Sequence, residues 1–212
     1  MKSIEKIKTI YKNGQLLPIY EEFYTIQGEG YNVGIPAYMI RISGCSIGCA
    51  WCDSKGSWQP KTNQLQNITQ IIKKAEQFPA KALLVTGGEP FNYNLEPLTL
   101  LAHKKNIKTN VETTGTEIIT GKWDWICISP KPYKKTLDNN LLLANELKII
   151  IYQEKDFYLV EEYAPKVKPQ TYLFLQAEWS QKEKIYPLIV EYIRKHPQWR
   201  LSIQMHKYLG IP

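Results

Sequence analysis

The chain has 212 residues and is 43% hydrophobic, enough apolar material for one cored domain spanning 1–212, while no apolar run approaches the roughly 18 residues of a membrane span. The start, Met1-Lys2-Ser3-Ile4-Glu5-Lys6, is charged and lacks the apolar core of a secretory signal, so a reduced, cytoplasmic setting is expected. The net charge of +7 comes from scattered lysines, densest at Lys131 to Lys135, which reads as a solvated basic surface suited to an anionic small molecule rather than as a nucleic-acid footprint.

Short apolar runs alternate with amphipathic stretches, the pattern of parallel βα units. An N-terminal strand is expected near Tyr20–Ile26, followed by the turn Ile26-Gln27-Gly28-Glu29-Gly30. The first strand of the repeating set is Ala37–Ser43. It carries Arg41 among apolar neighbours, and a buried arginine needs an anion. Next comes Cys45-Ser46-Ile47-Gly48-Cys49-Ala50-Trp51-Cys52-Asp53-Ser54. Helix Ile68–Phe78 leads to strand Ala82–Thr86 and the turn Thr86-Gly87-Gly88-Glu89-Pro90. Helix Leu95–Lys105 leads to strand Lys108–Glu112 and Glu112-Thr113-Thr114-Gly115-Thr116. Strand Trp125–Ser129 ends in Ser129-Pro130-Lys131. Strand Glu146–Tyr152 holds Lys148, whose facing is open at this level. Helix Asp156–Tyr163 precedes strand Tyr172–Gln176, which ends in Gln176-Ala177-Glu178-Trp179. Helix Lys182–His196 and a strand near Arg200–Gln204 close the set. The connections Gly115–Trp123 and Lys131–Asn145 are too short or irregular for a full helix with its loops.

Five unusual segments thus follow the C-terminal ends of strands, where a β/α barrel carries its site. The expected fold is α/β, a partial, open barrel of about six parallel strands with shortened helical connections.

The three clustered cysteines admit two metal readings. A cubane iron–sulfur cluster takes one thiolate per iron, so three local cysteines leave one iron open for a ligand. A structural zinc site wants four ligands, often as two spaced pairs. The remaining cysteine, Cys127, and the histidines His103, His196 and His206 form no second tight pair. Cys127 lies between isoleucines and reads as a buried thiol.

The cysteine spacing, with Trp51 just before the last thiol, resembles the radical S-adenosylmethionine superfamily. Gln27-Gly28-Glu29-Gly30, Arg41 and the final Pro212 narrow the resemblance to the 7-carboxy-7-deazaguanine synthase family, over nearly the whole chain. That resemblance implies one 4Fe-4S cluster held by Cys45, Cys49 and Cys52, with S-adenosyl-L-methionine on its open iron. It implies cofactor contacts from Trp51, Cys52, Asp53, Gly88, Glu89, Ser129, Pro130, Lys131, Gln176, Ala177, Glu178 and Trp179. Substrate contacts are implied for Ile26, Gln27, Gly28, Glu29, Arg41, Thr86 and Pro212. Ser54 matches a Mg²⁺ position where the family usually has threonine. Ala177 stands where proline often follows the glutamine, and Thr114 where asparagine is common.

The implied reaction is radical ring contraction of 6-carboxy-5,6,7,8-tetrahydropterin to 7-carboxy-7-deazaguanine with loss of ammonia, a carbon–nitrogen lyase step toward queuosine. The implied partners are the pterin, a flavodoxin or ferredoxin-type electron donor and a second copy of the chain in a homodimer, with no direct nucleic acid and no membrane. An activating enzyme for a glycyl-radical protein shares the cysteine spacing and size. A zinc-binding, basic nucleic-acid module is a further, non-enzymatic alternative.

Overall fold

The computed structural model describes residues 13–212; the charged start Met1–Lys6 lies outside them. The strands are β1 Leu16–Ile26, β2 Pro36–Ile42, β3 Leu65–Asn67, β4 Ala82–Gly87, β5 Lys108–Thr113, β6 Trp125–Ile128, β7 Glu146–Ile151, β8 Tyr172–Ala177 and β9 Trp199–Ser202. The α-helices are α1 Ile68–Ala75, α2 Glu96–Lys104, α3 Asp138–Leu141, α4 Tyr158–Tyr163, α5 Lys182–Lys195 and α6 Met205–Leu209.

All nine strands join one sheet in the order β3-β1-β2-β4-β5-β6-β7-β8-β9. β1 runs antiparallel to both β2 and β3. From β2 onward every pairing is parallel, ending with Leu173 opposite Trp199. The sheet is therefore open, as the sequence pattern implies. It has one parallel strand beyond the expected six, because the C-terminal strand continues the parallel array. The short β3 and α6, and the single-turn α3 inside the fourth connection, lie below the length at which hydrophobic periodicity registers.

Alternation along the strands sorts side chains onto two faces. Ile40 and Ile42, Leu83 and Val85, Val111, Leu147 and Ile149, and Leu175 are buried in the core beneath the helices. Their alternates Met39, Arg41, Leu84, Thr86, Glu112, Lys148, Ile150 and Gln176 face a cleft on the other side. The long runs that read as buried parallel strands thus carry the polar residues of the cleft at every second position.

The helices obey local rules. In α1, Ile68, Ile71, Ile72 and Ala75 form one buried stripe, and the Asn67 side chain caps its start by accepting from Thr69 N at 2.9 Å. None of the helices among the described residues is long and apolar enough to cross a membrane.

Candidate active site

The cleft, about 560 Å³, lies where β1 and the parallel strands end. Cys45, Cys49 and Cys52 all line it, as do Trp51, Asp53 and Ser54. Gly88, Ser129, Lys131, Gln176, Glu178 and Trp179 line it too, with Ile26, Gln27, Gly28, Glu29, Arg41, Thr86 and Pro212. Of the residues implied to contact cluster, cofactor, substrate or Mg²⁺, three are absent from the lining: Glu89, Pro130 and Ala177. Ala177 points into the hydrophobic core, the face opposite Gln176. Pro130 is buried behind the rim.

Glu89 is almost fully buried, and its carboxylate is spent inside the protein. One oxygen accepts from Thr113 Oγ1 at 2.5 Å and Phe91 N at 3.2 Å; the other accepts from Thr114 N at 2.9 Å and from the Thr114 hydroxyl. The Gly-Gly-Glu-Pro side chain thus ties the end of β4 to the end of β5. The glycine before it serves close approach: a Cβ at Gly88 would collide with the Gly44 carbonyl and with Cys45 Cβ. Gly88 N donates to Ile42 O at 2.9 Å and Glu89 N to Gly44 O at 2.8 Å, fixing the cysteine loop against β4.

Burial pushes the Cys45 thiol up and the Cys49 thiol up to about 11; Glu89 and Cys52 add to the first, Cys52 and Cys45 to the second. A metal must displace those protons, since the thiolate is the ligand. Among the described residues no three His, Cys, Asp or Glu side chains converge on a single ion. The donor set of three thiols opening on one cavity fits a cubane cluster.

The turn after β1 is held from several sides. Gln27 N donates to Ile35 O at 2.9 Å and Gly34 N to Gln27 O at 2.8 Å. Glu29 accepts from Lys148 Nζ at 2.5 Å and from Gln204 Nε2 at 2.8 Å. Lys148 also reaches Glu112 Oε1 at 3.3 Å. Burial alone would raise the Glu29 carboxyl; the Lys148 ammonium, with Gln204 and Gln176, overrides it and holds the group down to about 2. Burial likewise opposes charge on Lys148, yet Glu112 and Glu29 hold its pKa well above the usual lysine range. The facing left open by the sequence is therefore inward. Gln27 Nε2, by contrast, is buried with no hydrogen-bond partner, a donor that an acceptor-bearing ligand in the cleft would satisfy.

Arg41 is half-buried, and its anion is internal: Nε meets Glu21 Oε1 at 2.6 Å. This neighbour across the β1–β2 pair supplies an anion of the kind a buried arginine needs, and both side chains line the cleft. Lys131 donates to Ser129 O and Oγ at 2.7 and 2.6 Å and lies 5.9 Å from the Trp51 ring; burial lowers its pKa. Ser54 Oγ lies 3.7 Å from Cys52 Sγ. Cys127 is a buried thiol, as its neighbours imply, donating to Glu146 Oε1 at 3.5 Å.

The last residues fold over the site. Met205 N donates to Gly28 O at 2.8 Å, and a Cβ on Gly28 would collide with the His206 ring. Lys207 Nζ meets Asp53 Oδ2 at 3.1 Å, and Tyr208 packs edge-on against Trp179. The Pro212 oxygen accepts from Thr25 Oγ1 at 3.0 Å. Lys148, His206 and Gln204 are cleft residues absent from the sequence-based site. Their signal was available only as polar positions alternating with core residues, or as a tail with too much aromatic character to be loose.

Residues 39–126 match the family model described as the radical SAM superfamily. The chain is similar to 7-carboxy-7-deazaguanine synthase from Flavobacterium psychrophilum, 46% identical over 98% of this chain and 99% of the relative. The synthase of the same name from Synechocystis is 43% identical over 92% of this chain and 93% of its own length. Among solved structures, the crystal structure of QueE from Escherichia coli superposes with a TM-score of 0.82 at 30% identity, over 93% of this chain and 98% of that one.

Proposed function

Because the chain belongs to the 7-carboxy-7-deazaguanine synthase family of radical S-adenosylmethionine enzymes, we infer from that membership how its residues divide the labour. The chain is a lyase that contracts the ring of 6-carboxy-5,6,7,8-tetrahydropterin to 7-carboxy-7-deazaguanine with loss of ammonia, in queuosine biosynthesis. When bound, its 4Fe-4S cluster and S-adenosylmethionine supply one-electron reductive cleavage and a 5′-deoxyadenosyl radical, chemistry no side chain offers.

Cys45, Cys49 and Cys52 hold the cluster. Trp51, Asp53, Gly88, Ser129, Lys131, Gln176, Glu178 and Trp179 hold the cofactor by lining its side of the cleft, while Glu89 acts from behind by tying the end of β4 to that of β5, and Pro130 and Ala177 flank lining residues. Gln27, with its unpartnered amide, and Glu29, an acceptor held ionised, read the donor and acceptor edge of the pterin beside Ile26 and Gly28. Arg41, steadied by Glu21 through Nε, keeps its terminal nitrogens for the substrate carboxylate. Thr86 and Pro212 bound the same pocket. Ser54 serves Mg²⁺ together with water and substrate oxygens. The whole chain, 1–212, works as one domain, as a homodimer in the cytoplasm, and takes its electron from a flavodoxin or ferredoxin-type donor.

What supports this reading most is that the cysteine loop and the Gln27-Gly28-Glu29 turn line one cavity. The test is an anaerobic assay of reconstituted protein with S-adenosylmethionine, reductant, Mg²⁺ and 6-carboxytetrahydropterin, read by mass spectrometry. Formation of 7-carboxy-7-deazaguanine without net consumption of S-adenosylmethionine is expected. Cofactor cleavage without that product would reject the substrate assignment.

A further inference from the structure

Trp58 has no part in the assignments above, yet it touches the cysteine loop twice. Its carbonyl oxygen accepts from Cys45 N at 3.1 Å, and its indole Nε1 donates to Cys52 Sγ at 3.4 Å. The residue is half-buried and lines the cleft.

The contact rests on a built support. Lys55–Ser57 form one 3₁₀ turn, and Trp58 N donates to Lys55 O at 3.2 Å. Ser57 is fully buried; its N and Oγ both donate to Ser54 O, at 2.9 and 2.7 Å, and its carbonyl accepts from Gly44 N at 2.7 Å. The turn is thereby fastened to the chain before the first cysteine and after the last. The indole has little freedom to leave the sulfur.

Backbone N–H groups of Ile47 and Gly48 favour charge on the Cys45 sulfur. At Cys52 a side-chain N–H comes from Trp58, with the Ser54 hydroxyl farther off at 3.7 Å. Hydrogen bonds to cluster sulfurs and the residues behind the ligands are levers on an iron–sulfur potential. An N–H donor stabilises negative charge on sulfur, so it favours the reduced cluster, which carries one more electron.

We propose that Trp58 is a positioning residue that raises the reduction potential of the cluster through its indole N–H on the Cys52 sulfur, while its carbonyl fixes the Cys45 end of the same loop. The inference rests on the cluster reading of Cys45, Cys49 and Cys52.

The test is Trp58→Phe in the full chain, reconstituted anaerobically, with iron and sulfide counted and the midpoint potential read by an EPR-monitored redox titration. The expected result is a full cluster whose potential moves downward, so that the reduced-to-oxidised ratio at a fixed poise falls about three- to tenfold, the effect of one hydrogen bond on a one-electron couple. A full cluster at unchanged or higher potential overturns the proposal. Should the variant fail to load iron, the wild-type chain carrying ¹⁵N at the indole nitrogen decides it. A ¹⁵N coupling to the reduced cluster in pulsed EPR that survives Trp51→Phe supports the role, and absence of any coupling overturns it. A wild-type chain that takes up no iron and sulfide would instead remove the cluster reading itself.

Discussion

Lys148 is the charge that organises the floor of the cleft. It is only 2% exposed and lies between Glu29 and Glu112, so its removal would strand a buried carboxylate. Breaking such a pair from one side costs about 3–5 kcal/mol, whereas removing both partners costs less. Lys148→Met is therefore expected to lower unfolding stability by about that amount in urea titrations, and Lys148→Met combined with Glu29→Gln to recover part of it. The same pair sets a pH dependence. The folded Glu29 carboxyl sits near 2, below the ordinary 4.5. Its contribution is present above about 4.5 and is lost as pH falls through about 2. The stability difference between the wild type and Glu29→Gln, followed by thermal melts at successive pH values, should shrink across that window. A difference that stays constant would show that the Glu29 carboxyl titrates alike folded and unfolded. At this scale the sequence was legible for the cysteines, whose spacing is chemistry in itself. It was not legible for Lys148 or Arg41, because a strand residue's facing and its partner 20 residues away depend on pairing register.

Elements near the site are held by loops more than by long helices. The turn after β1 and the helix α6 interlock through Gly28, whose missing Cβ makes room for His206. Gly28→Ala is expected to lift α6 off the turn. Hydrogen–deuterium exchange over residues 205–212 should rise by an order of magnitude or more, while exchange in β4 and β7 stays unchanged; equal exchange in both proteins would mean that the tail is fastened elsewhere. The principal strands and α1, α2, α4 and α5 could be read from buried runs and amphipathic stripes, because each is long enough to show a period. β3 spans three residues and α6 five, and both depend on tertiary partners rather than propensity. The tail is apolar and aromatic, a composition that suits docking, but its seat on Gly28 is visible only in three dimensions.

Across the whole molecule the sheet does not close, since β3 and β9 are its edges. Polar contacts nevertheless join its two ends. Gly30 N donates to Ser202 Oγ at 3.0 Å, and Ser202 Oγ donates to Gln176 Oε1 at 2.6 Å, so one hydroxyl links the turn after β1 to β8 and β9. Ser202→Ala leaves Gly30 N buried without its partner, a cost of about 1–3 kcal/mol. The variant should unfold at correspondingly lower urea concentration and bind the pterin more weakly, as read by isothermal titration, with cofactor binding nearly unchanged. Comparable loss for both ligands would place the hydroxyl in general stability rather than in the substrate half. The open α/β architecture followed from alternating βα patterns, but this bridging of its edges did not, since a serine in a short terminal strand carries no local mark of its partner.

That bridging has a consequence for the order in which the protein comes into being. The turn after β1 is among the first segments to leave the ribosome, yet its anchors Ser202, Gln204 and Met205 are among the last. The cysteine loop depends on Gly88 and Trp58, made much earlier. Synthesis proceeds from the N-terminus, so these contacts of the cysteine loop can form in a nascent chain while the turn after β1 still lacks its fastening. The two walls of one cleft are thus fastened at different moments of the chain's synthesis.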